Sequence, residues 1–166
     1  MNAAAPMSDD LRTLYQEIIL DHGKNPRNAH LIAEHTCKAQ GNNPMCGDRV
    51  TVTAKVAQDQ VQDIGFEGKG CAISIASASM MTDALKGQSL ETAEKLFAAV
   101  QELCTGKSDA TQIKTRFGAD FETTVERLAS LSGVSQFPVR VKCATLPWHA
   151  LMSCLQGNGE TTTEKP

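Results

Sequence analysis

The sequence predicts an α+β fold in which a small antiparallel β-sheet packs against several α-helices. Three observations carry this. Residues 49–56 alternate strictly in polarity, residues 72–85 are small and apolar on every side with no charge before Asp83, and three further segments repeat apolar residues at helical spacing. The 166 residues are 41 % apolar and 21 % charged, which suits a buried core in one domain. No internal repeat or linker divides them, so a single domain is expected over 1–166, its ordered core running from about residue 8 to 156. Aromatics, at 4 %, leave Ala, Val, Leu, Ile and Met to fill that core.

Taken in order, Leu11, Leu14, Tyr15, Ile18 and Ile19 mark a helix over 8–22, with Ser8 or Asp9 as N-cap and residues 23–26 (GKNP) as its stop. Residues 41–48 read as a turn-rich loop. In the strand that follows, Val50, Val52, Ala54 and Val56 face one way, and Thr51, Thr53 and Lys55 the other. A turn over 58–60 leads to a returning strand over 61–67. Its parity slips between Val61 and Ile64, which predicts a bulge or an early end. Residues 72–85 read as a buried helix closed by Gly87. Ser89 caps the next helix, whose face is Leu90, Ala93, Leu96, Phe97, Val100 and Leu103. Residues 106–119 are polar and weakly patterned and read as a loop. Phe121, Val125, Leu128 and Leu131 define another amphipathic helix, ended by Gly133. Residues 137–141 read as an extended link and 144–155 as the last helix, because Pro147 is tolerated only near a helix start. Residues 157–166 read as a frayed polar tail.

Several function classes are excluded at this level. Net charge is −3 with no block of Lys or Arg, so no nucleic-acid footprint is expected. The charge-free stretch 70–82 is far shorter than the ~20 residues of a membrane span. Residues 1–7 show neither a basic n-region nor an apolar h-region, so no signal peptide is read there and a cytoplasmic protein is expected.

The compositional anomaly is six cysteines, at 37, 46, 71, 104, 143 and 154. An even count allows disulfides, but in a reducing compartment clustered cysteines more often bind metal or do thiol chemistry. Cys104 and Cys154 sit on apolar helix faces and read as small buried hydrophobes. Cys37 reads as a structural or incidental thiol. Cys46, Cys71 and Cys143 sit at element boundaries, the last two directly ahead of predicted helices, where unpaired N–H groups favour a thiolate. Asp48 adds a carboxylate oxygen to the same centre. Three thiolates and one carboxylate suit tetrahedral Zn²⁺ or iron held in a cluster. With a divalent ion they sum to about −2, which Lys69, Arg140 and Lys142, each within three residues of one of these cysteines, would offset. The four histidines, 22, 30, 35 and 149, have no ligand spacing, and His149 reads as a surface side chain.

These motifs resemble the U-type iron–sulfur assembly proteins (IscU, SufU and the N-terminal domain of NifU) over most of the chain. Residues 15–28 (YQEIILDHGKNPRN) look like that family's opening helix. Residues 43–48 (NPMCGD), 68–74 (GKGCAIS) and 140–148 (RVKCATLPW) look like its three cysteine motifs. Lys142 in place of a histidine, the long interval from Cys71 to Cys143, and residues 79–87 (SMMTDALKG) are more similar to SufU than to IscU. The chaperone-binding stretch of IscU is replaced by residues 136–140 (QFPVR). The resemblance implies a sandwich with its metal site at one end. It also implies a zinc-bound sulfur acceptor that takes persulfide sulfur from a SufS-type cysteine desulfurase and serves downstream iron–sulfur assembly proteins. By resemblance to SufU the metal ligands are Cys46, Asp48, Cys71 and Cys143, and the acceptor is Cys46; an IscU pattern would place the acceptor at Cys143. The alternative is a scaffold on which iron and sulfide are built into a [2Fe–2S] cluster for transfer to apo-proteins.

Overall fold

In the computed structural model, which describes residues 8–163, the chain runs α1 (Asp9–Lys24), β1 (Cys37–Asn43), β2 (Asp48–Ala57), β3 (Gln60–Lys69), α2 (Ala72–Leu85), α3 (Leu90–Thr105), α4 (Ala110–Phe117), α5 (Glu122–Ala129), α6 (Pro138–Leu155) and β4 (Glu160–Thr162). The absence of a signal peptide expected over residues 1–7 and the end of the polar tail, residues 164–166, lie outside the described residues. Ser8 caps α1, its Oγ accepting the Leu11 N–H at 3.2 Å, and Asp9 and Asp10 in the first turn suit the positive end of the helix.

The sheet order is β3-β2-β1-β4. The first three strands form an antiparallel meander as expected, but β4 runs parallel to β1, so the sheet is mixed. This corrects the all-antiparallel sheet and the frayed tail together. Residues 160–162 pair with 40–42, and the Gln40 N–H donates to the Gly159 carbonyl at 2.9 Å. A three-residue edge strand needs no buried apolar face, so its polar side chains carried no strand signal. β1 was likewise invisible. Its sequence CKAQGNN buries Ala39, Gly41 and Asn43 on one face, with a single side chain larger than hydrogen that is apolar. Gly41 is required there: a Cβ would sit 2.9 Å from Leu146 Cδ1 and 3.3 Å from Ala150 Cβ, so its absence lets α6 lie close on β1.

The β2–β3 hairpin follows its pattern. Gln58 and Asp59, at φ 55° and 59°, form a two-residue turn. Lys55 pairs with Asp63 while Val56 pairs with Val61, which leaves Gln62 as the extra residue of a bulge; β3 does not end early. One face of the sheet carries α2 and α6, with α1 packed on α2 and α3 on α6. Val50, Val52, Ala54, Ile64 and Phe66 fill that interface beside Met80, Met81, Leu146 and Trp148, all buried. No helix of the described residues is long and apolar enough to cross a membrane.

Three helix expectations change. The segment read as a loop over 106–119 contains α4, opened by a capping box between Asp109 and Gln112. It buries only Ile113 and is held by ion pairs, Lys114–Glu126 and Arg116–Glu102, both 2.7 Å, so one apolar residue was too little to show a period. The helix expected over 121–131 is α5 continued by a 3-10 turn, Ser130–Val134. Residues 137–141 are not an extended link. Pro138 occupies the first helical position, where a missing N–H costs nothing, and Pro147 stands inside α6.

The six cysteines are not all free. Cys37 and Cys154 form a disulfide, with Cα atoms 5.3 Å apart. α6 crosses β1 in the opposite sense, so Cys143 lies beside Asn43 at one end and Cys154 beside Cys37 at the other. Residues 143–154 of a helix span about 16 Å, and residues 37–43 of a strand about 20 Å, which brings both pairs into register.

Candidate metal centre

Each site residue is presented by a rigid element. Asn43 and Asp48 close the β1–β2 hairpin as directly paired residues, so their side chains share a face. Residues 44–47 turn between them, with the Cys46 N–H donating to the Asn43 carbonyl at 3.2 Å and Gly47 at φ 70°. Cys46 therefore stands exposed at the hairpin tip. Cys71 is the N-cap of α2, as the sequence suggested. Cys143 is not ahead of its helix but in the second turn of α6, 2 % exposed.

One ligand atom from each of Cys46, Asp48 and Cys143 lies within 4.8 Å of the others. The Cys143 thiol donates to Cys46 Sγ at 3.3 Å. Cys71 lies outside that trio but against it. Its Sγ is 3.8 Å from Asp48 Oδ2, and its N–H donates to Asp48 Oδ1 at 2.8 Å. Gly70 makes this possible: at φ 142°, a Cβ there would strike the Asp48 carboxylate and come within 2.8 Å of its Cα. Burial, then hydrogen bonds with Asp48 and Cys46 and the charge of Cys71, push the Cys143 thiol well above the ordinary range. Without a cation Cys143 keeps its proton.

The donor set fits a soft or borderline divalent ion. Bonds of ~2.3 Å to sulfur and ~2.0–2.2 Å to oxygen place ligand atoms of one tetrahedral site under about 4.6 Å apart, close to the spacings here. Sulfur ligands with one oxygen suit zinc or iron and disfavour calcium or magnesium. The three cysteines line a cavity of about 570 Å³ together with Phe137, Val139 and Arg140. Phe137 and Val139, 58 % and 47 % exposed, form an apolar rim beside the thiols, and Met45, 65 % exposed, precedes Cys46 in the turn. Of the expected supporting cations only Arg140 lines the cavity. Lys69 is exposed at the end of β3, and Lys142, half-buried on α6, has partners of its own.

Neither Asn43 nor the apolar rim carries a functional signal in the sequence. Asn43 was legible only as part of NPMCGD, since no polarity rule singles out a buried amide. His149 is half-buried rather than on the surface: it stacks edge-on to Phe97 at 5.2 Å, where burial lowers its pKa, and it lines a different cavity.

A model of the NifU-like N-terminal domain matches residues 14–117, more than half of the chain. The chain belongs to the NifU-like N-terminal domain family. Among its relatives is the zinc-dependent sulfurtransferase SufU of Bacillus subtilis (strain 168), 44 % identical over 142 residues that span 86 % of this chain and 89 % of that one. Another NifU-like relative is the iron–sulfur cluster assembly scaffold protein IscU of Streptococcus pyogenes serotype M1, 38 % identical over 146 residues, 88 % of this chain and 85 % of that one. The fold matches a crystal structure of a SUF-system protein from the thermophile Fervidobacterium islandicum AW-1, with a TM-score of 0.72 and 30 % identity over 87 % of this chain and 98 % of that one. These relatives place the chain in a family of iron–sulfur cluster assembly proteins, and its Cys46, Asp48 and Cys143 are grouped closely enough to hold a metal ion.

Proposed function

We propose that this protein is a zinc-bound sulfur acceptor that takes persulfide sulfur from a SufS-type cysteine desulfurase and passes it to downstream iron–sulfur assembly proteins in the cytoplasm. Cys46, Asp48, Cys71 and Cys143 are the proposed ligands and Cys46 the acceptor. The observation that carries the assignment is the unequal access of the thiols: Cys46 is exposed, Cys71 half-buried and Cys143 buried. A persulfide carried on another protein reaches the exposed thiol first.

Bound zinc would hold the sulfurs with the Asp48 carboxylate and lower their proton affinity. The remaining chemistry belongs to side chains. The Cys46 thiolate attacks the outer sulfur of the donor persulfide. A new S–S bond forms on Cys46 as the donor's S–S bond breaks, and the donor cysteine leaves as a thiolate with the electron pair. The proton on the terminal sulfur stays with it, so the exchange is redox-neutral. Arg140 at the cavity wall offsets the anionic charge, and the Phe137 and Val139 rim excludes water from the docked partner.

The test is desulfurase turnover on cysteine with and without this protein, zinc-loaded and zinc-free. Strong zinc-dependent stimulation that is lost in Cys46→Ala is expected. No stimulation, or full stimulation by Cys46→Ala, overturns the reading. The scaffold-named relative at 38 % identity favours a second reading, with the same residues assembling a [2Fe–2S] cluster as cargo. Anaerobic reconstitution with iron and sulfide, followed by transfer to an apo-ferredoxin, decides it; failure to form a transferable cluster excludes it.

A further inference from the structure

Asn43 is 1 % exposed and touches two of the proposed ligands at once. Its Nδ2 lies 3.3 Å from Asp48 Oδ2 and 3.4 Å from Cys143 Sγ, one N–H for each. Its Oδ1 accepts the Thr163 hydroxyl at 3.1 Å. Thr163 directly follows β4, and its own N–H donates to the Asn42 carbonyl at 3.0 Å. All the polar capacity of this buried amide toward the site is therefore donor capacity. The reverse orientation would set Oδ1 against the Asp48 carboxylate, acceptor against acceptor.

A carboxylate and a sulfur that both become anionic around a cation gain from a shared donor, and charge-assisted hydrogen bonds are about twice as strong as neutral ones. An amide fixed by backbone pairing also restricts where the two ligand side chains point, which is how outer-layer contacts tune metal sites. We infer that Asn43 is a positioning residue for the metal centre, and that the C-terminal strand β4, through Thr163, is the brace that holds its amide in the donating orientation. This inference rests on the metal-binding reading above. It gives the C-terminal segment a task at a site whose ligands all lie between residues 46 and 143.

The test uses the full chain and two metals, Zn²⁺ affinity by chelator competition and the ligand-field and thiolate charge-transfer bands of the Co²⁺ form. Asn43→Ala is expected to weaken zinc by about 10–100-fold and to shift the cobalt bands. Thr163→Val, which leaves Asn43 in place, is expected to act in the same direction by about 3–10-fold, as an outer contact one step removed. Asn43→Ala with zinc affinity within twofold of the parent and an unchanged cobalt spectrum overturns the role of Asn43. Thr163→Val at parental affinity overturns the brace, and it decides the whole inference if Asn43→Ala does not fold. A parent protein that binds neither metal overturns the metal-binding reading instead, so the two failures are told apart.

Discussion

Gly70→Ala tests how the β3–α2 connection builds the site. Gly70 stands at φ 142°, a conformation that L side chains rarely adopt, and holding alanine there costs about 1–3 kcal/mol. The new methyl would also strike Asp48, forcing its carboxylate away from the Cys71 N–H that it accepts at 2.8 Å. A hydrogen bond to a charged group contributes about 1.5–3 kcal/mol. Together the two effects predict a loss of about 3–6 kcal/mol in the metal-free protein, or roughly 6–24 °C in Tm. Moving Asp48 also displaces the one oxygen among the proposed ligands, so zinc affinity should fall at least about tenfold.

Gly87→Ala separates the causes. Gly87 has φ 85°, but a Cβ there meets nothing within 4 Å, so that variant reports backbone strain alone and should leave zinc affinity unchanged. Urea unfolding of both metal-free variants, with zinc competition on each, reads the difference. If Gly70→Ala unfolds no more easily than Gly87→Ala and holds zinc as tightly as the parent, the steric account of Asp48 placement is refuted.

Three further outcomes follow from the same structure. Burial pushes the Cys104 thiol from 9.0 to about 12. A raised folded pKa contributes stability that is complete below the unfolded pKa and lost as pH rises through the folded one, so about 4 kcal/mol should disappear between pH 9 and 12. Cys104→Ala should flatten that loss in urea midpoints measured at pH 8 and 10.5, and an unchanged slope would contradict it. The Cys37–Cys154 bridge joins residues 117 apart in sequence, which by chain entropy contributes about 5 kcal/mol, so reduction or Cys37→Ser should lower Tm by roughly 10–20 °C in a calorimeter. An unchanged Tm would show that the bridge adds no stability. Timed iodoacetamide labelling of the metal-free protein, read by mass spectrometry, should modify Cys46 on the order of tenfold faster than Cys143, with zinc protecting both. The reverse order would exclude Cys46 as the accessible acceptor.

The parts of the fold legible in the sequence are those in which one side chain's environment repeats at a fixed period. Val50, Val52 and Ala54 reported β2, the parity slip reported the Gln62 bulge, and the uncharged run 72–85 reported a helix that is buried. β1, α4 and β4 were not legible because each buries little apolar surface. β1 turns Gly41 and Asn43 inward, α4 buries one isoleucine, and β4 is a polar edge strand. Such elements are held by long-range partners, namely α6, Glu102 with Glu126, and β1, which local pattern does not encode. The disulfide was hidden for the same reason. Cys37 and Cys154 read singly as an incidental thiol and a buried one, and only the path of α6 along β1 pairs them.

The position of Cys143 has the largest chemical consequence. Placed ahead of a helix, its thiol would face unpaired N–H groups and ionise readily. Because Pro138 opens α6, the helix starts five residues before Cys143, whose N–H falls beyond the four unsatisfied ones at the start. Burial then dominates, and the thiol keeps its proton and donates it to Cys46. Cys46, an exposed residue at the hairpin tip, accepts that hydrogen bond. Two cysteines that look alike in the sequence are thus made unequal by where one helix begins: the buried one holds its proton in the metal-free protein, and the exposed one is the proposed nucleophile.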